Sequence, residues 1–349
     1  MGANDKQSRR RFLQLAGSAG ISAAAMPLAG LWSSTATKSP EDLAGDWDRA
    51  LVSITLDLEM SRNFPKWEDT EWDYEKGNLD PATKQYAVEA GRRVREAGGV
   101  LHYFAVGRTL EQPDITWLKD LAAAGHPIGN HTYDHVYLLA KTREEVQFRF
   151  KRAPWLIEGK SVAEAIDENI RLATHALKQR GGITPNGFRT PGGFATGLNG
   201  REDVQKMLLD NGFTWVSSKY PPHPNTAPMT EPDESVLRGI VEAQPAAQPF
   251  VYPSGLIELP MSPISDIGAF RTGRWKVESF MEAIRRGLEW AIENRACFDF
   301  LAHPSCLVAT DPDFKTIDMI LEIVDRAGER ASVVGLDVQA LRAGMRARG

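Results

Sequence analysis

Short apolar runs alternate with longer stretches of helical periodicity from about residue 50 to residue 336. Each run is short enough for a strand, and the stretch after it repeats apolar residues every three to four positions. Such alternation is typical of parallel strands joined by crossover helices. We predict strands in ALVSITLDLEM (50–60), GGVLHYFAVG (98–107), HPIGNHT (126–132), NGFRTP (186–191), GFTWVSS (212–218), GLIELPMSP (255–263), CFDFLAH (297–303) and ASVVGL (331–336), and helices over 81–97, 114–124, 161–180, 200–211, 277–294 and 313–328.

Eight strand–helix units fit a closed or nearly closed barrel better than an open sheet. The composition does not change along these units and no sequence repeat occurs, which favours one domain. We therefore predict an α/β, TIM-barrel-like fold with a single catalytic domain over residues 50–345. The stretches 60–80, 141–160 and 219–255 are too long for simple connections, which is typical of lids or binding loops. Segments that only cover the ends of the barrel are the alternative.

The net charge and the cysteine content limit the classes of partner and of site that the chain can have. The 349 residues carry a net charge of −5, from 41 basic and 46 acidic residues, which argues against a nucleic-acid partner. Cys297 and Cys306 are too few for a disulfide framework and have no partners at zinc-thiolate spacing. We expect both to be buried or incidental. Neither the oligomeric state nor a protein partner follows from the sequence.

Residues 1–36 have the pattern of a secretory signal of the twin-arginine type. Consecutive arginines at 9–11 precede a weakly apolar run rich in Ala and Gly, and the segment ends in a small-x-small cleavage pattern. No acidic residue occurs between Asp5 and Glu41, which disfavours the alternative of a basic amphipathic helix. We predict export to the periplasm or the extracellular space, residues 37–49 as a linker, and no permanent membrane span.

Two carboxylates share one face of the first predicted strand. In SITLDLEM, alternation sends Asp57 and Glu59 to the same side near the C-terminal end of the strand. Active sites of parallel barrels lie at that end. Like charges so close are costly unless they share a cation or a proton. A solvated strand end is the alternative interpretation.

Two histidines lie four positions apart in GNHTYDH (129–135). If a helical turn begins near Asn130 or Thr132, His131 and His135 project from the same side. Two neutral imidazoles and a carboxylate from elsewhere form a three-ligand metal site that leaves room for water. A surface turn is the alternative.

Two further motifs end predicted strands with polar residues. GFRTPGG places Arg189 before Pro191 and Gly192, where the backbone can approach a ligand closely and the arginine can hold a carboxylate. FDFLAHPS ends an apolar strand at His303, on the same predicted rim. A structural salt bridge and a capped core histidine are the respective alternatives.

The motifs TLDLE, HTYDH, RTPGG and LAH, in this order, resemble those of the polysaccharide deacetylases, the NodB-homology domains of carbohydrate esterase family four. The resemblance covers roughly residues 50–340, and GHPIGN (125–130) also resembles the family's approach to the histidine motif. It implies a distorted (β/α)7 barrel and a hydrolase that removes N- or O-acetyl groups from a carbohydrate polymer.

The resemblance also implies roles for individual residues. Asp57 matches the catalytic base, Arg189 the arginine that orients the base, and His303 the general acid. His131 and His135 match the two metal-binding histidines.

Two positions depart from the family pattern. Leu58 stands where the common motif has a metal-binding aspartate, and the spacing resembles the members with D-x-D or D-x-E. Glu59 is then the implied third ligand. The stretch GFTWVSSKY lacks the aspartate that tunes the acid histidine in many members. Asp266 and Asp299 are both open as substitutes.

The implied cofactor is a divalent metal, with zinc as the first expectation and cobalt, nickel or manganese also compatible. Two rival functions remain: an allantoinase-like small-amide hydrolase on the same fold, and a sugar-binding protein with a decayed site. We expect a carbohydrate polymer to contact the turn after Arg189 and aromatic side chains. The predicted contact residues are Pro191, Gly192, Trp215, Trp67 and Trp72.

Overall fold

The computed structural model describes residues 38–61 and 76–348. Residues 1–36, predicted as the export signal, and the predicted sugar-contact residues Trp67 and Trp72 lie outside the described residues. Within the described ranges, no helix is long and apolar enough to cross a membrane.

The strands of the described part form one curled, mostly parallel sheet in the order β6-β7-β5-β4-β3-β2-β1-β8, with β9 also paired to β1. Among the strands of residues 38–61 and 76–348, only β6 and β7 pair antiparallel. The prediction of a TIM-barrel-like α/β fold is confirmed, although the sheet path ends at β6 and β8 in the described residues and forms a half-barrel. The strands are β1 (Ala50–Leu58), β2 (His102–Ala105), β3 (Ile128–Asn130), β4 (Phe188–Phe194), β5 (Trp215–Lys219), β6 (Phe250–Val251), β7 (Ile257–Glu258), β8 (Cys297–Ala302) and β9 (Ala331–Val333).

Each of the eight predicted strand segments contains a strand, and only β6 was missed. The six predicted helices are also present within a few residues of their expected bounds. The helices are α1 (Pro40–Gly45), α2 (Pro81–Glu96), α3 (Thr116–Ala123), α4 (Arg143–Val146), α5 (Phe148–Arg152), α6 (Val162–Ala176), α7 (Glu202–Asp210), α8 (Glu234–Glu242), α9 (Val277–Glu293), α10 (Pro304–Thr310), α11 (Lys315–Ala327) and α12 (Leu336–Arg348).

Local capping explains where several helices begin. The Asp80 carboxylate accepts the backbone N–H of Thr83, just before a proline at the first position of α2. At α6, Ser161 and Glu164 form a reciprocal capping box. The Asp233 side chain caps α8, which lies inside the proline-rich stretch 219–255 that was predicted as a loop. That prediction is wrong for residues 234–242, because proline content outweighed a short amphipathic pattern.

The stretch 40–49, predicted as part of a linker, is packed against α12. The guanidinium of Arg342 donates to the backbone oxygens of Ala44 at 3.1 Å, Asp46 at 2.6 Å and Arg49 at 2.7 Å. In a free linker, these carbonyl groups would hydrogen-bond to water instead. A buried cation of the last helix therefore helps to hold this segment against the domain.

Strand β1 separates two kinds of side chain. Ile54, Leu56 and Leu58 belong to the main apolar cluster, which also includes residues of α2, α9 and α11. The alternate residue Thr55 hydrogen-bonds inside the sheet to the buried Asp299 carboxylate at 2.8 Å. The apolar face thus holds the helices, while the other face carries polar groups toward the carboxyl end of the sheet.

Trp215 does not line the cavity that contains Asp57 and Glu59, contrary to the prediction that it binds substrate. It is buried at the start of β5, where its ring lies edge-on to Phe104 and His102. Gly187, with φ of +76°, leaves the space that this ring fills. The alternation of β5 therefore directs the indole into the core.

We predict that Gly187→Ala lowers the free energy of unfolding by about 2 kcal/mol more than Gly212→Ala, because of overpacking. A Cβ at Gly187 would lie 1.9 Å from the Trp215 ring, whereas a Cβ at Gly212 meets nothing within 4 Å. Both glycines have positive φ, so both variants share the backbone cost of about 1 kcal/mol. Urea unfolding of the two variants measures the difference, and equal losses would contradict the packing of Trp215.

Candidate active site

Three potential metal ligands converge at the carboxyl end of the sheet. Glu59 directly follows β1, and His131 and His135 lie in the loop after β3. One ligand atom of each lies within 4.8 Å of the others. Glu59 and His131 are buried, and His135 is partly exposed. Because parallel strands end at the same edge of a sheet, residues far apart in sequence meet here.

The loop that carries the histidines is not helical, so a helical turn is not what brings His131 and His135 together. Thr132 and His135 both have left-handed backbones, with φ of 57° and 59°. The Thr132 hydroxyl accepts the N–H of Val136 at 2.9 Å, and Asn169 accepts the N–H of Asp134 at 2.7 Å. A positive φ is costly for histidine, and these bonds hold the loop in that conformation.

Both imidazoles present Nε2 to the Glu59 carboxylate. The Nδ1–H of His131 donates to the backbone oxygen of Arg189 at 2.9 Å, so that its Nε2 faces Glu59 Oε2 at 3.6 Å. Burial lowers the pKa of His135 to about 4, so its ring is uncharged at neutral pH. A metal ion requires neutral imidazole ligands.

The Glu59 carboxylate is ionised and its two oxygens differ. Burial alone raises the pKa of Glu59, but His135 and Lys76 together hold that pKa well below its usual value. At neutral pH, where His135 is uncharged, the effect of Lys76 remains. Lys76 Nζ lies 2.5 Å from Oε1, whereas Oε2 is buried without a hydrogen-bond donor and lies 2.5 Å from His135 Nε2.

Asp57 is held by the buried side chain of Arg189. Its Oδ1 accepts from Arg189 Nη1 at 3.1 Å, and its Oδ2 lies 3.7 Å from His131 Nε2. The same guanidinium donates to Thr55 at 2.8 Å and to Asp299 at 2.5 Å. The structure thus brings Arg189 and Asp57 together, as their positions in the sequence suggested. Asp299 is an ion-pair partner of Arg189.

Asp266 is the carboxylate that contacts His303. Its Oδ1 lies 3.0 Å from His303 Nδ1, and its Oδ2 accepts the backbone N–H of His303 at 2.8 Å. Burial alone lowers the pKa of His303, but the negative charge and hydrogen bond of Asp266 raise it above its usual value. The sequence left Asp266 and Asp299 as alternatives, and no periodicity connects Asp266 with the start of α10.

The side chains of Asp57, Glu59, His131, His135 and His303 line an open cavity of about 1070 Å³. Pro191 and Gly192, predicted as substrate contacts, line it as well. Gln147 and Lys151, from the stretch 141–160 predicted as a lid, form part of its wall. Lys76, which also lines the cavity, was missed by the sequence analysis because it belongs to no recognisable motif.

The comparisons with solved structures support the fold. A protein from Mycobacterium smegmatis named as a polysaccharide deacetylase superposes with a TM-score of 0.58 at 17% identity, over 87% of this chain and 92% of its own. Puue allantoinase gives 0.53 at 16% identity, over 85% and 91%. A protein from Pseudomonas aeruginosa PAO1, also named as a polysaccharide deacetylase, gives 0.53 at 14% identity, over 84% and 91%. Among curated proteins, no sequence matches the chain.

The family comparison concerns the middle of the chain. The polysaccharide deacetylase family model matches residues 80–214, a span that contains both histidines of the metal cluster and Arg189. The same span includes the HTYDH and RTPGG motifs on which the resemblance was based. Over this span the chain is therefore similar to the polysaccharide deacetylases, which are hydrolases of carbon–nitrogen bonds other than peptide bonds.

Proposed function

We propose that the chain is a metal-dependent deacetylase that removes N- or O-acetyl groups from a carbohydrate polymer. The observation that carries this proposal is the convergence of Glu59, His131 and His135 on one point, with Asp57 and His303 beside it. The D-x-E spacing of Asp57 and Glu59 supports membership of the corresponding subgroup of the family.

The residues fit a divalent cation. Glu59 Oε2 is buried without a hydrogen-bond donor, and the Nε2 atom of His131 faces it. A cation bound there supplies a Lewis acid for the acetyl carbonyl and lowers the pKa of a water molecule. We propose zinc, and the same donors suit cobalt, nickel or manganese.

Asp57 is the proposed general base. Because Arg189 holds Oδ1, the other oxygen, Oδ2, is directed toward His131 and His303. That oxygen takes the proton of the attacking water. Arg189 orients Asp57 and does not itself contact the substrate, since its guanidinium is fully buried.

His303 is the proposed general acid. Its Nδ1 is bonded to Asp266, so Nε2 is the atom that faces the site, 3.6 Å from Glu59 Oε1 and 3.9 Å from Asp57 Oδ2. The raised pKa of His303 keeps a proton available for the leaving nitrogen or oxygen of the sugar. The acid and the base thus lie on either side of one reacting point.

We propose that the substrate lies outside the cytoplasm. The twin-arginine pattern of residues 1–36 would export the chain to the periplasm or beyond. The cavity is large enough for more than one sugar ring, and Pro191 and Gly192 offer backbone contacts at its wall. Trp67 and Trp72 stay proposed as sugar-stacking residues.

Acetate release from a mixed panel of acetylated glycans, with and without chelator, tests this function. Chelator-sensitive release restored by zinc supports it. Bound metal without acetate release, together with hydrolysis of small cyclic amides, would favour the allantoinase-like alternative. Tight glycan binding without turnover would favour a sugar-binding protein.

His131→Ala and His135→Ala are each expected to lose stoichiometric zinc, because each removes one of three ligands. His175→Ala, an exposed histidine on α6, is the matched control and should keep the metal. Metal analysis of the purified variants after dialysis measures this. Full zinc content in either of the two loop variants would contradict the ligand assignment.

Asp57→Asn should lower kcat by roughly 100-fold or more while zinc stays bound, because the amide cannot accept the water proton. Asp120→Asn, on the exposed side of α3, is the control and should retain wild-type turnover. Steady-state acetate release and metal analysis are measured on the same preparations. Near-normal kcat in Asp57→Asn would show that another group is the base.

Asp266→Asn should shift the alkaline limb of the kcat/KM profile to lower pH. His303 must be protonated to act as the acid, so activity falls as pH rises through its pKa, and Asp266 raises that pKa. Removing the negative charge lowers the pKa and therefore moves the loss of activity to lower pH. An unmoved alkaline limb, with the variant folded by circular dichroism, would contradict the role of His303.

A further inference from the structure

The two oxygens of the Glu59 carboxylate have different surroundings. Oε1 accepts from Lys76 Nζ at 2.5 Å and from the Ser61 hydroxyl. Oε2 has no hydrogen-bond donor, although it is buried, and lies 2.5 Å from His135 Nε2 and 3.6 Å from His131 Nε2. Oε1 is therefore hydrogen-bonded within the protein, whereas Oε2 faces the two imidazoles.

Lys76 is fixed in this position by the backbone around it. Its side chain is only 2% exposed, and its carbonyl oxygen accepts the N–H of Met60 at 3.0 Å. The Ser305 hydroxyl accepts the N–H of Ser61 at 2.8 Å and donates to the carbonyl oxygen of Glu59 at 2.7 Å. The two groups that donate to Oε1 thus lie in buried segments that are joined by hydrogen bonds, and Lys76 is not a surface side chain.

A buried ammonium group is an expensive donor to a carboxylate oxygen. Burying a lysine costs free energy unless a partner charge compensates it, and a serine or an asparagine could donate to Oε1 without that cost. The positive charge of Lys76 also opposes a second cation close by. Its presence beside a proposed metal ligand therefore calls for an effect that a neutral donor would not have.

We propose that Lys76, with Ser61, makes Glu59 a ligand through Oε2 alone. The inference rests on the proposed metal site. A carboxylate that binds through one oxygen occupies one coordination position, which leaves more positions for water and the acetyl oxygen. The ammonium also withdraws negative charge from Glu59, so the cation keeps more of its Lewis acidity. Lys76 is thus a positioning residue that acts through Glu59.

Cobalt binding without substrate tests this role. The metal-free full-length chain is titrated with Co²⁺, and its visible absorption and its heat of binding are followed for wild type and four variants. Lys76→Met removes the charge and keeps the length of the side chain, and Lys76→Arg restores charge and donor. Ser61→Ala removes the second donor to Oε1. Lys151→Met, a second lysine that lines the cavity, is the matched control.

We expect Lys76→Met to bind Co²⁺ roughly tenfold more tightly than wild type, since the opposing charge is gone and Oε1 becomes available. Its visible band should lose intensity, because an added oxygen ligand raises the coordination number. Ser61→Ala should change both readings in the same direction by less. Lys76→Arg and Lys151→Met should match the wild type.

Three results would overturn the inference. One is a Lys76→Met variant with wild-type spectrum and affinity, and another is weaker Co²⁺ binding by that variant. The third is an equal change in Lys151→Met, which would indicate a general charge effect. A wild-type chain that takes up no Co²⁺ would overturn the proposed function as well, so the two failures are distinguishable.

Discussion

Arg189 is fully buried inside the sheet, where its guanidinium donates to Thr55, Asp57 and Asp299. Its carbonyl oxygen accepts the Nδ1–H of His131. One residue of β4 therefore fixes both the proposed base and one proposed metal ligand. Removing one partner of a buried ion pair costs about 3–5 kcal/mol, so the arrangement forms as a unit. The contacts of Arg189 therefore position Asp57 and His131 more than any single loop does.

A second ion pair separates the roles of two neighbouring carboxylates. Asp57 and Glu59 are two residues apart, and each is paired with a buried cation, Arg189 or Lys76. In the proposed function, the arginine leaves an Asp57 oxygen for proton transfer, whereas the lysine leaves a Glu59 oxygen for a metal. A third carboxylate, Asp266, supports the charged form of His303. Chemically similar groups thus acquire different functions from the partner that each one faces.

The order of elements could be predicted from sequence because hydrophobic periodicity is local and strong. The motifs that end β1, β3, β4 and β8 could be assigned to one edge for the same reason. The partner Lys76 could not be predicted, and Asp266 could be named only as one of two alternatives, since both lie in segments that have no regular period. Trp215 was misassigned because alternation within a short strand does not reveal which face meets the core. The conformation of the His135 loop could not be predicted because a left-handed histidine has no sequence signature.

The central claim is that Glu59, His131 and His135 hold a metal through one carboxylate oxygen and two imidazole nitrogens. Anomalous diffraction at the zinc absorption edge, from crystals of the full chain grown with zinc, measures this directly. The account predicts one strong peak within bonding distance of Glu59 Oε2 and both Nε2 atoms, with Glu59 Oε1 still bonded to Lys76. A peak elsewhere, or an empty site between these residues, would contradict it.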